Sequence, residues 1–188
     1  KRRRKTRKRF VKNGGSKLFE HGEITEFDET YGDVPLFRKV FWYPEKPTDK
    51  GKVDMSQVAY NEQAIIKILM EHPHPNIVSF FDVNETYVDM ELLDTEDINP
   101  EKAKREMKKV KDFLQSLGII YMDWKPDNIG KDIHGNYKLF DFDGSGMINV
   151  DTRKWTIKPV EIFAFREAKT HSRNPIKMDN WAFNEYIR

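Results

Sequence analysis

The sequence predicts an α+β protein built from two lobes. Short aromatic and β-branched runs interrupted by glycines fill residues 10–43, a pattern typical of a small antiparallel sheet. Two later segments, 55–71 and 100–117, repeat apolar residues at helical spacing. Because a sheet with a helix is followed by a mainly helical region with a further hairpin, we expect two lobes joined near residues 92–97.

Composition limits the class of protein. A chain of 188 residues with 38% hydrophobic and 13% aromatic residues can form one or two compact lobes. It contains no cysteine, which excludes disulfides, a thiolate nucleophile and cysteine-ligated zinc. The longest apolar stretch, 117–122, is interrupted by Gly118 and is too short for a membrane span or a signal peptide. We therefore expect an intracellular protein, cytoplasmic or nuclear, with no membrane partner.

The charge is distributed unevenly along the chain. Eight of the first nine residues are Lys or Arg, and removing them from the total of 33 leaves 25 basic against 31 acidic residues, a net charge of −6. Residues 1–9 are therefore a basic arm on an acidic body. Such an arm cannot be buried, so we expect it to be disordered and to contact nucleic acid or an import receptor. A solvated tail without a specific partner is the alternative.

The first lobe is expected to combine its sheet with one helix. Residues 44–53 contain Pro47 and Gly51 and predict a loop. In the helix that follows, over 55–71, Val58, Ile65, Ile66 and Leu69 share one face. Glu62 falls on this apolar face, where a carboxylate is costly unless a cation meets it or it reaches water at the edge of the stripe.

Strand and helix signals continue into the second half of the chain. Residues 77–83 and 87–93 read as two further strands. The helix over 100–117 has Gly118 as its C-terminal stop, and its apolar stripe predicts a core face. That stripe consists of Met107, Val110, Phe113, Leu114 and Leu117.

A predicted hairpin brings oxygen ligands together. A turn-forming run separates residues 128–132 from 137–141, so we expect these segments to pair and to place Asn128 opposite Asp141. Two oxygen ligands at the mouth of one hairpin suit Mg²⁺, which prefers hard oxygen donors and completes its shell with water and phosphate. Asp123, five residues before Asn128, is expected beside the same metal.

The segment that begins at Asp123 resembles a known family. Residues 123–128 match the D-x-K-P-x-N catalytic loop of the eukaryotic-type protein kinases. Asp141 and Phe142 match the start of the D-F-G motif of the same family. Lysine two positions after the catalytic aspartate is, in that family, the Ser/Thr-kinase pattern. The resemblance therefore implies a Ser/Thr protein kinase, which transfers the γ-phosphate of ATP to a protein hydroxyl.

Upstream segments extend the resemblance in the order of the family. Residues 36–39 resemble the strand that bears the ATP-contacting lysine, here Lys39, and Glu62 stands where the helix glutamate belongs. Residues 74–78 match the H-P-N-I-V turn, and residues 90–93 resemble the gatekeeper and hinge. The resemblance thus supplies, in Lys39, the cation that Glu62 requires on its apolar face.

The resemblance implies a role for each matching residue of the catalytic and metal-binding loops. Asp123 accepts or orients the proton of the substrate hydroxyl, and Lys125 stabilises charge on the transferring phosphoryl group. Asn128 and Asp141 hold Mg²⁺.

The implied cofactor is ATP together with Mg²⁺. Lys39 grips the α- and β-phosphates while it is paired with Glu62. The hinge residues Glu91 and Leu93 contact the nucleotide.

The resemblance also implies a two-lobed protein-kinase-like fold. Residues 10–93 form the N-lobe, and residues 94–188 form a reduced helical C-lobe with the catalytic and metal-binding loops. Residues 159–161 match the A-P-E motif weakly, and residues 179–181 resemble the D-x-W opening of the helix under the catalytic loop. Because the chain stops soon afterwards at Arg188, we expect either a fragment or a minimal kinase of the kind associated with large DNA viruses, found in a virion or an infected host cell.

The chain departs from the family pattern at three places. No G-x-G-x-x-G occurs, Tyr121 and Met122 replace the His-Arg before the catalytic aspartate, and Asp143 replaces the glycine of D-F-G. Without that arginine, a phosphorylated activation segment lacks its usual docking cation, so we expect activity that is not gated in this way. A pseudokinase that acts as a nucleotide-binding or scaffolding module is the main alternative, and a small-molecule kinase of related fold is a third.

Overall fold

The computed structural model describes residues 25–32, 34–41, 55–160 and 162–187. The basic arm, the predicted loop at 44–53 and Glu161 of the A-P-E match lie outside the described residues.

A four-stranded antiparallel sheet and one helix form the first half of the structure. The strands are β1 (Thr25–Tyr31), β2 (Val34–Val40), β3 (Phe80–Val83) and β4 (Tyr87–Glu91), in the order β1-β2-β4-β3. Helix α1 (Met55–Glu71) packs against β3. The small antiparallel sheet and its helix are therefore confirmed over the described residues.

The apolar face of α1 is buried as its spacing predicts. Val58, Ile65, Ile66 and Leu69 are all at most 3% exposed. Glu62 lies on the same face and is only 2% exposed, so it does not reach water at the edge of the stripe.

Three helices and two further sheets form the second half. Helix α2 (Pro100–Ser116) begins at Asn99, whose side chain accepts a hydrogen bond from the Lys102 amide, and Pro100 suits the first helical turn. The remaining elements are β5 (Ile119–Ile120), β6 (Ile129–Lys131), β7 (Tyr137–Leu139), β8 (Gly146–Ile148), β9 (Trp155–Ile157), α3 (Phe163–His171) and α4 (Pro175–Tyr186). Strands β5, β8 and β9 form one antiparallel sheet, and β6 and β7 form a hairpin.

The register of the β6–β7 hairpin differs from the prediction by one residue. Ile129 pairs with Leu139, and the Phe140 amide donates to the Asn128 carbonyl at 3.0 Å, so Asn128 lies opposite Phe140 and not Asp141. The reason is the loop, in which the Asp132 amide bonds the Asn136 carbonyl and leaves only three residues between them. The predicted pairing required a loop of four.

Helix α4 also begins earlier than the D-x-W match predicts. It starts at Pro175, capped by the Asn174 side chain, so Asp179 lies one turn inside the helix rather than at its opening. Helix α3 has no counterpart in the sequence prediction.

One continuous core connects the two halves. Its largest fully buried side chains are Trp124, Tyr121 and Phe142, next to the predicted catalytic and metal-binding residues. None of the helices in the described ranges is long and apolar enough to span a bilayer. The protein is thus an α+β structure with small antiparallel sheets and four helices over the described residues.

Candidate active site

Lys39 joins the sheet, the helix and the segment after β7. Strand β2 directs its ammonium to the Glu62 carboxylate of α1 at 2.8 Å and to Asp141 Oδ1 at 2.8 Å. Glu62 therefore meets a cation on the apolar face of its helix, as its position required. Asp141 has a φ of 61°, in the left-handed region, so its carboxylate reaches Lys39 through a backbone conformation that is unfavourable for a residue other than glycine.

The charges of this cluster depend on one another. Burial alone lowers the pKa of Lys39, but the carboxylates of Asp141 and Glu62 outweigh it and raise that pKa well above its usual value. Burial raises the pKa of Glu62. The pKa of Asp141 is lowered because the Lys39 ammonium outweighs the effect of burial. The cluster therefore holds Lys39 charged and Asp141 ionised at neutral pH.

A second cluster surrounds Asp123. The turn at residues 126–128 brings Asn128 Nδ2 to the Asp123 carbonyl at 3.0 Å and to its carboxylate at 2.9 Å. The Lys125 ammonium lies 2.7 Å from the same carboxylate oxygen. Burial opposes the charge of Lys125, but Asp123 outweighs it and raises the Lys125 pKa. Asp123 is therefore fixed between an amide and an ammonium.

Buried groups beneath Asp123 hold the loop that carries it. Asp179 of α4 accepts hydrogen bonds from the Met122 amide at 3.0 Å, Trp124 Nε1 at 2.7 Å and Gln115 Nε2 at 2.8 Å. Met122 has a φ of 67°, and the bond to Asp179 helps to hold this strained conformation. The Tyr121 hydroxyl donates to the Phe140 carbonyl at 2.7 Å and links the loop to the end of the hairpin.

Electrostatics connect the two clusters through Asp143. Burial and then the negative charge of Asp141 raise the pKa of Asp143 well above its usual value. Asp123 and Glu62 add to this repulsion, and Lys39 opposes it. The site thus has a surplus of carboxylates over its two lysines.

The donor set fits a magnesium ion. Asn128 and Asp141 supply amide and carboxylate oxygens, and the crowding of Asp141 with Asp143 is of the kind that a divalent cation relieves. Across the described ranges, no three carboxylate or imidazole side chains converge on a potential metal position. Mg²⁺ takes few protein ligands and completes its shell with water and phosphate, so Asn128 and Asp141 are the residues that would hold it.

The structure gives the two hinge residues different surroundings. The Glu91 carboxylate is buried against the Lys138 ammonium at 2.5 Å and accepts the Ser79 amide at 2.7 Å. The Glu91 amide donates to the Ser79 carbonyl at 3.0 Å, so the side chain and the amide of Glu91 are both engaged within the protein. Leu93 is half-buried. A Cβ atom placed on Gly130 would lie 2.6 Å from the Cβ of Leu93, so the Leu93 side chain packs directly against the backbone at Gly130. Lys138 lies between two apolar residues of β7, which signals a buried cation, but the sequence does not identify Glu91 as its partner.

Comparisons with known proteins point to one class. No protein-family model matches the chain. The chain is 32% identical over 71 residues to human cGMP-dependent protein kinase 2 (Homo sapiens), covering 38% of this chain and 9% of that protein. It is 32% identical over 113 residues to CBL-interacting serine/threonine-protein kinase 19 of Arabidopsis thaliana, covering 52% of this chain and 23% of that protein. It is 28% identical over 139 residues to serine/threonine-protein kinase CST20 of Candida albicans, covering 65% and 11%.

These similarities are partial. The chain spans less than a quarter of the length of each of these relatives. Over part of its length the chain has a kinase-like relationship to Ser/Thr protein kinases.

Proposed function

We propose that this chain is a Ser/Thr protein kinase that transfers the γ-phosphate of ATP, with Mg²⁺, to a protein hydroxyl. The observation that carries the proposal is the double ion pair of Lys39 with Glu62 and Asp141, next to the Asp123 cluster. This arrangement joins a phosphate-binding ammonium, a metal-binding carboxylate and a base. The partial similarity to Ser/Thr protein kinases supports the same activity.

Lys39 and the loop residues divide the work of phosphoryl transfer. Lys39 binds the α- and β-phosphates, and Asn128 and Asp141 hold the metal. When bound, Mg²⁺ neutralises charge on the phosphate oxygens. The backbone of Glu91 and Leu93 lines the nucleotide side of the site.

Asp123 acts on the acceptor. Its carboxylate orients the substrate hydroxyl and takes its proton, while the new bond from oxygen to phosphorus forms and the bond from the γ-phosphorus to the ADP oxygen breaks. Lys125, which lies 2.7 Å from Asp123, places a positive charge where negative charge grows on the transferring group.

The decisive experiment follows labelled γ-phosphate from Mg·ATP to a generic basic protein. Asp123→Ala and Lys39→Met are compared with Asp127→Asn, which changes an exposed carboxylate in the same turn and serves as the matched control. We expect Asp123→Ala to lower the transfer rate by about two orders of magnitude or more, because a positioned base contributes about 10²–10⁴. Transfer by Asp123→Ala at the rate of the unmodified chain would contradict the proposal.

A pseudokinase is the second candidate. It is favoured by the absence of any G-x-G-x-x-G in the sequence and by Asp143 in place of the D-F-G glycine. A pseudokinase of this kind gains thermal stability from Mg·ATP but transfers no phosphate. The same Lys39→Met variant then abolishes the thermal shift, which identifies the nucleotide site without relying on catalysis.

A further inference from the structure

A basic groove lies between α2 and α4, on an otherwise acidic protein. Lys104, Arg105, Lys108 and Lys111 of α2 line this shallow groove of about 630 Å³, together with Asn180 and Asn184 of α4. Outside the first nine residues, the sequence has 25 basic against 31 acidic residues. The α2–α4 groove is therefore a basic region in a sequence whose charge outside the first nine residues is net negative.

Two of the four basic side chains connect α2 to α4, and the other two are available to a ligand. Lys111 donates to Asn180 Oδ1 at 2.8 Å and Lys104 donates to the Asn184 carbonyl at 3.2 Å, so both hold α4 against α2. Arg105 is exposed and has Glu106, its sequence neighbour, 3.7 Å away. Lys108 is exposed, without a hydrogen bond or ion pair to any other part of the chain that the structure describes.

We propose that the α2–α4 groove binds an extended acidic peptide segment of a partner protein. Arg105 and Lys108, the two available cations, are three residues apart on α2, a spacing that makes side chains neighbours with Cβ atoms about 5–6 Å apart. An extended peptide advances about 6.6 Å every two residues, so carboxylates at alternate positions can reach both of these long side chains. Charge complementarity of this kind favours association and fixes the register of the bound segment.

The polar groups of the groove favour a peptide over a nucleic acid. Glu101 lines one end of the groove, and its carboxylate repels any negative group placed against it. A peptide can place an uncharged residue there, whereas a nucleic acid carries a phosphate at every nucleotide. The exposed side-chain amide of Asn184 offers a donor and an acceptor, both of which a peptide backbone can use. A phosphodiester backbone provides acceptors only.

Binding is measured by fluorescence anisotropy with a labelled twelve-residue peptide in which glutamate alternates with serine. The full chain is compared with the double variant Arg105→Gln/Lys108→Gln and with Lys109→Gln, an exposed α2 cation outside the groove. No nucleotide is added, so the result is independent of kinase activity. We expect the double variant to bind at least about fivefold more weakly at low salt, and Lys109→Gln to bind as the parent does.

The basic arm, residues 1–9, is present in every protein compared, so it does not contribute to the difference between them. A photoreactive version of the peptide locates the contact, and we expect cross-links on α2 and α4. Unchanged peptide affinity in the double variant, or cross-links confined to the arm, would overturn the proposal. A loss of affinity for single-stranded RNA that equals or exceeds the loss for the peptide would also overturn it, and would make the groove a nucleic-acid surface.

Discussion

Removing the Asp179 carboxylate is expected to destabilise the protein through the loop at residues 121–128. The side chain is fully buried, and one of its oxygens accepts both the Met122 amide and the Trp124 indole N–H. Asp179→Ala leaves these two buried donors without an acceptor. Each such donor costs about 1–3 kcal/mol, so the free energy of unfolding should fall by about 2–6 kcal/mol.

Asp179→Asn is the matched control because it keeps an oxygen for the same two donors. Its amide nitrogen faces Gln115 Nε2, which lies 2.8 Å from the second carboxylate oxygen, but Gln115 can rotate its own amide to present an acceptor. Burial raises the pKa of Asp179, which means that burying its negative charge costs free energy. Asp179→Asn removes this cost, and the gain offsets part of the stability lost with the carboxylate. We expect a cost of about 1 kcal/mol for this variant.

Urea unfolding measured by tryptophan fluorescence separates these cases. With a slope of about 2 kcal/mol per molar urea, Asp179→Ala should lower the unfolding midpoint by about 1–3 M and Asp179→Asn by about 0.5 M. Equal midpoints for the two variants would refute the reasoning, because the charge rather than the accepting oxygen would then hold the loop. A loss below about 1 kcal/mol in Asp179→Ala would refute it as well.

Three further changes test other parts of the structure. Lys138→Met should lower the free energy of unfolding by about 3–5 kcal/mol, because it leaves the buried Glu91 carboxylate without its cation. Adding Glu91→Gln to this variant should recover much of the lost stability in urea titrations. Gly146→Ala should cost at least about 2 kcal/mol, since its Cβ would lie 2.5 Å from Pro159 Cδ, and wild-type melting behaviour would contradict this packing. The pKa of Asp143 is raised in the folded protein, so ionisation of this carboxyl at pH values above its ordinary pKa of 3.8 weakens folding. Asp143→Asn removes the ionisable group and should therefore stabilise the protein at pH 7. The gain should vanish below pH 3.8, and a gain that persists there would exclude charge repulsion as its cause.

The sequence predicted the elements that have long apolar periodicity. Helix α1 matches its predicted bounds and α2 ends one residue earlier, because each buries an apolar stripe against strands. Helix α3 was missed because it spans only nine residues and buries few apolar side chains. The β6–β7 hairpin was predicted with the wrong register, because backbone bonds within the loop set the pairing and composition does not reveal them.

Contacts within the site were predictable only in part. The need of Glu62 for a cation was visible from its place on an apolar face, and the structure supplies Lys39. The Lys138–Glu91 pair joins residues 47 positions apart, and nothing local in the sequence matches them. The support that Asp179 gives to Met122 was hidden for the same reason, since tertiary packing alone brings α4 beneath the loop.

The separation of Lys39 and Asp141 along the chain has a consequence for folding. Their ion pair spans 102 residues, so it forms only after a long loop has closed and the first sheet has docked on the second half of the chain. Neither half alone can bring the Lys39 ammonium to the Asp141 carboxylate that follows β7. The nucleotide site proposed above therefore exists only in the completed fold, and a partly folded chain would not bind ATP there.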